Sequence, residues 1–153
     1  MTRWIGIDYG AKRIGVAVGD ADVRIVTPLA MLSAGDVDLS ERIKKIAVEY
    51  DAVGVVVGWP MLSDDSEGPQ ARLARQFASD LAERTGLDVR LWDERLSSFQ
   101  ADERLKGEFT RKQKRRRRDA VAAATILEDF FTGNGPTSAA RPADWGDSEG
   151  IPK

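Results

Sequence analysis

Three acidic residues, Asp8, Glu94 and Asp119, stand where this chain could do hydrolytic chemistry. Asp8 closes the run Trp4-Ile5-Gly6-Ile7 just before a Tyr-Gly break. Glu94 follows Val89-Arg90-Leu91-Trp92, and Asp119 opens a stretch of small and apolar residues at helical spacing. A carboxylate at the end of a buried strand is costly unless its charge is compensated. Several carboxylates in one place repel one another and retain protons unless a cation joins them. Oxygen-only ligands suit Mg²⁺ or Mn²⁺. Two such ions roughly 4 Å apart can clamp both oxygens of an in-line phosphoryl displacement. The chemistry implied is phosphodiester hydrolysis. Each residue also has a structural alternative. Asp8 before Gly can make an Asx-turn, Asp119 can cap a helix, and Asp93 or Glu94 can pair with Arg95 or a nearby Lys. The coincidence of all three at the ends of elements favours the metal site.

Composition removes the competing chemistries. The 153 residues contain neither Cys nor His. That excludes disulfide frameworks, thiol nucleophiles, histidine bases, Ser-His-Asp triads and the usual zinc sites. The length suits one domain, and a hydrophobic content of 42% with 31% charged residues is ordinary for a globular protein. No apolar stretch reaches the ~20 residues of a membrane helix, and no signal-peptide pattern opens the chain. A cytoplasmic protein without a membrane partner is expected. The net charge is −2, yet the run Arg111-Lys112-Gln113-Lys114-Arg115-Arg116-Arg117-Arg118 concentrates seven of the 23 basic residues. An acidic body with one basic segment points to a local polyanion contact, with salt-dependent affinity for a nucleic-acid backbone.

The elements that must position these residues follow from the pattern. Residues 4–8 and 14–18 form a hairpin across a Gly/Lys loop, and residues 23–32 a third strand with an edge or bulge at Thr27-Pro28. Asp38 and Glu41 look like a capping box for a helix whose buried face holds Leu39, Ile43, Ile46, Ala47 and Tyr50. Val53 to Gly58 is a buried, parallel strand. After an acidic loop, Pro69 starts a second helix with Leu73, Phe77 and Leu81 buried and Arg72, Arg75 and Arg84 solvated. Ser66 and Gly68 at its start could receive a phosphate. A fifth strand ends in Asp93-Glu94-Arg95. A short helix spans 96–105, and residues 106–118 are a basic loop before a last helix opened by Asp119. Three hairpin-linked strands are antiparallel, and two reached through helices are parallel. The fold class is α/β: a mixed five-stranded sheet flanked by helices. Residues 1–132 form the domain, and 133–153, rich in Gly, Pro, Ser, Ala and Asp, a disordered tail.

Four stretches in order carry a family resemblance: Gly6-Ile7-Asp8-Tyr9-Gly10-Ala11-Lys12-Arg13-Ile14-Gly15-Val16-Ala17-Val18; Val57-Gly58-Trp59-Pro60 with Ser66-Glu67-Gly68-Pro69; Trp92-Asp93-Glu94-Arg95-Leu96-Ser97; and Asp119-Ala120-Val121-Ala122-Ala123-Ala124 with Ile126-Leu127. The sequence resembles the YqgF family of pre-16S rRNA nucleases, also described as Holliday-junction-resolvase-like. The resemblance implies an RNase H-like fold, a divalent-metal nuclease maturing the 5′ end of 16S rRNA, and acidic residues at Asp8, Glu94 and Asp119. Lys12 and Arg13 match its hairpin turn and Arg95 its Asp-Glu-Arg segment. These three, with Arg111, Lys112, Lys114, Arg115, Arg116, Arg117 and Arg118, are candidate nucleic-acid contacts. Leu62 and Asp64-Asp65 depart from the pattern, which leaves the substrate contacts of that loop open. The partner is pre-16S rRNA in pre-ribosomal particles or branched DNA, with the protein a monomer or homodimer. A junction resolvase and a non-catalytic ribosome-assembly factor are the alternatives. A nucleotide-binding ATPase of the sugar-kinase type shares the hairpin but needs a second lobe.

Overall fold

The computed structural model describes residues 2–94 and 111–145, the side chains of residues 111–120, 143 and 145 excepted. Strands β1 (Arg3–Tyr9), β2 (Arg13–Asp20) and β3 (Ile25–Ser33) come first. Then follow α1 (Leu39–Glu49), β4 (Ala52–Trp59), α2 (Pro69–Thr85) and β5 (Asp88–Asp93). Helix α3 (Arg111–Thr132), a single turn α4 (Gly135–Ser138) and a 3-10 turn (Pro142–Trp145) complete the described chain. The sheet order is β3-β2-β1-β4-β5. β1, β2 and β3 pair antiparallel, whereas β4 pairs parallel with both β1 and β5. This is the mixed sheet the connections imply: short turns reverse the chain, and helical crossovers return it in the same direction. Pro28 sits on edge strand β3 beside the register shift between Val16 and Ala17, where its missing N–H breaks no central ladder.

The sheet is buried on both faces, and the period of two sorts its residues. Ile5, Ile7, Val55, Val57, Val89 and Leu91 pack with α1 and α2. Trp4, Val56 and Trp92 pack with Ala123, Ala124, Ile126, Leu127, Phe130 and Phe131 of α3. Helix α3 lies close on the sheet because β1 offers it a glycine. A Cβ on Gly6 would stand 2.5 Å from Leu127 Cγ and 2.9 Å from the Ala123 carbonyl. Among the described residues no helix is long and apolar enough to cross a membrane.

Several expectations need correction. The capping box does not form: Asp38 makes no side-chain cap bond, and Asp36 accepts from the Asp38 N–H at 2.8 Å and pairs with Arg42 instead. On α2 the buried stripe is Ala71, Ala74, Arg75, Ala78, Leu81 and Thr85, while Leu73 is exposed. Small residues face the sheet because the helix packs close, and Arg75 is not solvated. Helix α3 begins at Arg111, so the basic run is helical backbone and Asp119 lies inside the helix rather than at its cap. Arg, Lys and Gln are strong helix formers, which outweighs like-charge crowding of a few tenths of a kcal/mol per pair. The expected helix at 96–105 lies outside the described residues.

Residues 134–145 also differ from a structureless tail, whereas 146–153 lie outside the described residues. Arg90 donates to the carbonyls of Pro136 and Ala139 at 3.1 and 3.2 Å, and the Leu91 N–H donates to the Ala140 carbonyl at 2.8 Å. Asp88 pairs with both Arg90 and Arg141. This strap is held through its own carbonyls by a buried arginine, so a composition poor in apolar side chains does not reveal it. It covers part of the outer edge of β5. Truncation after Gly133 is expected to lower the thermal midpoint by about 5 °C, as scanning calorimetry would measure; an unchanged midpoint would mean the strap contributes nothing.

Candidate active site

Strands β1, β4 and β5 are parallel, so their carboxyl ends lie on one side of the sheet. β4 stands between the other two. Asp8 shares its parity with Trp4 and Gly6, Gly58 with Val56, and Glu94 follows Trp92 by two. All three therefore come to the α3 face at the same end of the sheet. The β1–β4 ladder stops at Ile7 and Val57. The carboxyl pair described next lies at the point where connections leave β1 and β4 in opposite directions, the usual site position in open α/β sheets.

Asp8 is a ladder residue opposite Gly15, not a turn residue. Its carboxyl meets that of Glu94. Burial pushes the Glu94 carboxyl up to about 8, with Asp8's charge, a hydrogen bond to Asp8 and Asp93's charge acting in the same direction. Two carboxyls can share a hydrogen bond only if one keeps a proton, and Glu94 keeps it. The Glu94 side chain rests on Gly58: a Cβ there would lie 2.9 Å from Glu94 Cδ and 2.6 Å from Ile126 Cδ1. Nothing in the sequence pattern marked Gly58 as that seat.

The other expected residues divide. Lys12 is exposed and Arg13 half-buried in the turn after Asp8, closed by the Gly10 N–H donating to the Arg13 carbonyl at 3.0 Å. This turn stands at the same end of the sheet as the carboxyl pair. Residue 119 lies one helical turn before Ala123, whose carbonyl stands over Gly6; its side chain is outside the described residues, as are those of Arg111, Lys112, Lys114, Arg115, Arg116, Arg117 and Arg118. Arg95 is likewise outside. Among the described residues no group of three acidic side chains could hold a metal ion; the third expected carboxyl is not among them. Ser66 donates its hydroxyl and its N–H to Asp64, and Gly68 is the buried N-cap position of α2. A phosphate there would have to displace Asp64.

A mixed sheet in this order, with helix α3 on the face that carries paired acidic strand ends, defines the class: an RNase H-like nuclease fold. RuvC from Thermus thermophilus, solved in complex with a Holliday junction substrate, has this fold. It superposes with a TM-score of 0.56 at 14% identity, over 91% of this chain and 99% of that one. The chain belongs to the RuvX family, described as Holliday junction resolvase, whose model matches residues 2–133. A relative from Anaeromyxobacter sp. strain Fw109-5, named as a candidate pre-16S rRNA nuclease, is 42% identical over 134 residues, 86% of this chain and 97% of its own. A second of the same name, from Lachnospira eligens, is 38% identical over 134 residues, 84% of this chain and 96% of its own. The family resemblance carried by the four motifs is borne out, and the protein is a member of a nuclease family.

The shared proton sets a pH dependence. Glu94's carboxyl titrates near 8 when folded against an ordinary value of 4.5, so the folded state binds the extra proton across that window. Without a bound cation, stability is therefore full at the low end and is lost as pH rises toward 8. Thermal midpoints in chelator should fall between about pH 5 and 8, and Glu94→Gln should flatten the profile. A wild-type profile that rises over that range would mean the two carboxyls do not interact.

Proposed function

We propose that the protein is a divalent-metal-dependent nuclease that hydrolyses phosphodiester bonds of RNA, trimming the 5′ end of pre-16S rRNA in the cytoplasm. Its metal-holding and catalytic carboxyls are Asp8, Glu94 and Asp119. The observation that carries this reading is the Asp8–Glu94 contact: two half-buried carboxyls meeting at the carboxyl ends of the strands, one of them holding a proton at neutral pH. The donor set fits a hard cation, since it is all oxygen in a chain without His or Cys. Mg²⁺ or Mn²⁺ held there would supply charge neutralisation at the scissile phosphate and acidify a nearby water.

The chain's own residues do the remaining work. Asp8 is fixed by its ladder and Glu94 by its seat on Gly58, so both oxygens are oriented before substrate arrives. Asp119, one turn along α3 from Ala123, completes the set. Lys12, Arg13 and Arg95 meet phosphates beside the reacting bond. Arg111, Lys112, Lys114, Arg115, Arg116, Arg117 and Arg118 grip the backbone further out. The names of the curated relatives support RNA as the substrate. A second reading, cleavage of branched DNA by a resolvase, is favoured by the description of the matching family.

Labelled RNA spanning the 16S leader and a four-way DNA junction, incubated side by side with Mg²⁺ or Mn²⁺, separate these readings. The RNA should be cut and the junction spared; the reverse favours the resolvase. Asp8→Asn should lower the cleavage rate at least about 100-fold while nucleic-acid binding persists. Cleavage at the wild-type rate by that variant would overturn the metal-nuclease reading. Binding by wild type should weaken steeply with salt. Replacing the five arginines of the basic run by Gln should reduce the logarithmic slope by about four to five.

A further inference from the structure

The face of the sheet opposite the carboxyl pair holds a buried brace. Trp59 closes β4 and turns toward α2, one residue beyond Gly58, the seat of Glu94. Its indole Nε1 donates to Glu67 Oε2 at 2.9 Å, and Arg75 Nε donates to the same oxygen at 2.8 Å. The Arg75 and Glu67 side chains are only 9% and 7% exposed. Three elements meet at this one oxygen: the end of β4, the loop 60–68 and helix α2.

The ends of β1 and β4 need such a tie. Their ladder stops at Ile7 and Val57, so no ladder bond joins Asp8 to Gly58. Helix α2 holds each end from below instead. Phe77 stacks on Tyr9 with ring centroids 4.7 Å apart and planes at 26°, and Arg75 holds Trp59 through Glu67. Trp59 also pairs with Asp93 in the β4–β5 ladder, so a shift of Trp59 moves both the seat of Glu94 and the residue before it. The loop is closed on itself above this brace. The N–H of Leu62 donates to the Ser66 carbonyl at 2.9 Å, and that of Asp65 to the Leu62 carbonyl at 3.0 Å. A buried ion pair adds little net stability compared with an apolar replacement, but its geometry is strict.

We propose that Glu67 is a positioning residue for the active site: by gripping Trp59 and Arg75 at one oxygen it fixes the end of β4, and with it the seat that aims the Glu94 carboxyl at Asp8. The proposal rests on the reading of Asp8 and Glu94 as metal-holding carboxyls. Its test uses the full chain and Mn²⁺ as the probe, with affinity measured by calorimetry or electron paramagnetic resonance beside turnover on labelled RNA. Glu67→Gln keeps the size and an acceptor oxygen but loses the charge. It should weaken Mn²⁺ binding and lower kcat by about tenfold or more, with KM for RNA within about twofold. Trp59→Phe keeps the ring and the ion pair but loses the donor. It should shift both quantities in the same direction by less, and it keeps the test open if Glu67→Gln fails to fold. Thr85→Ala, at the far end of α2 where the hydroxyl only closes the helix, controls for lost stability and should leave Mn²⁺ affinity unchanged. Wild-type affinity and kcat in both brace variants, or an equal loss in Thr85→Ala, would overturn the brace alone. A wild type that binds no Mn²⁺ would overturn the underlying reading, and the brace with it.

Discussion

Holding two half-buried carboxyl groups together at the ends of their strands sets the terms for the rest of this molecule. Like charges drive the strand ends apart, and burial drives a proton onto Glu94. Among the described residues, the groups acting on Glu94 all push in the same direction and none of them is cationic. The scaffold must therefore supply rigidity. β1 is clamped in the centre of the sheet between β2 and β4, and its last residues keep their antiparallel partners through Tyr9 after the parallel ladder has stopped. Glu94 has no such ladder beyond Asp93 and leans on Gly58 instead.

Glycines on the α3 face make the arrangement possible. Gly6 lets α3 descend onto β1, and Gly58 leaves room for Glu94 and Ile126 side by side. A methyl group on Gly6 would meet helix backbone, which cannot withdraw, and one on Gly58 would push the Glu94 and Ile126 side chains aside. The two faces also divide the labour. The α3 face carries the carboxyl pair and the α2 face anchors the strand ends that present it. The parity of a strand joins the two, because Asp8 and Tyr9, or Gly58 and Trp59, are neighbours in sequence and opposed in space.

The sheet, its strand directions and the pairing of Asp8 with Glu94 were legible because turn lengths, crossovers and strand ends are local properties of the chain. The facing of the strands was harder to read. Runs such as Val55-Val56-Val57 are apolar on both sides and carry no alternation, so the seat at Gly58 could not be told from an ordinary strand glycine. The burial of Arg75 escapes the sequence pattern for a related reason. Helical spacing put it opposite the large apolar residues, yet the close-packed stripe is made of alanines, and the guanidinium finds its partner eight residues earlier, in Glu67. The signal was present: an acidic residue just before a helix-starting Pro, with Arg75 two turns on. The strap after Gly133 hid differently, since its anchors are main-chain carbonyls, which no side-chain pattern records.

The direction of α3 connects the basic run to the site. Phe130 meets Trp4 and Leu127 meets Gly6, so the helix runs antiparallel to β1, and its N-terminal half points toward the Asp8 end. From Ala123 back to Arg111 the helix rises about 18 Å, whereas β1 continues only about 10 Å from Gly6 to Tyr9. The first turns of α3 thus overhang the carboxyl ends of the strands by roughly 8 Å. The run 111–118, with seven of the chain's 23 basic residues, begins in that overhang, and the positive end of the helix dipole lies there as well. A phosphate backbone held there, as the proposed function requires, would lie beside the carboxyl ends of the strands. The bare carboxyl pair repels it, and the pair with a bound cation does not. The composition of the rest of the chain works in the same direction, since outside that run acidic residues outnumber basic ones.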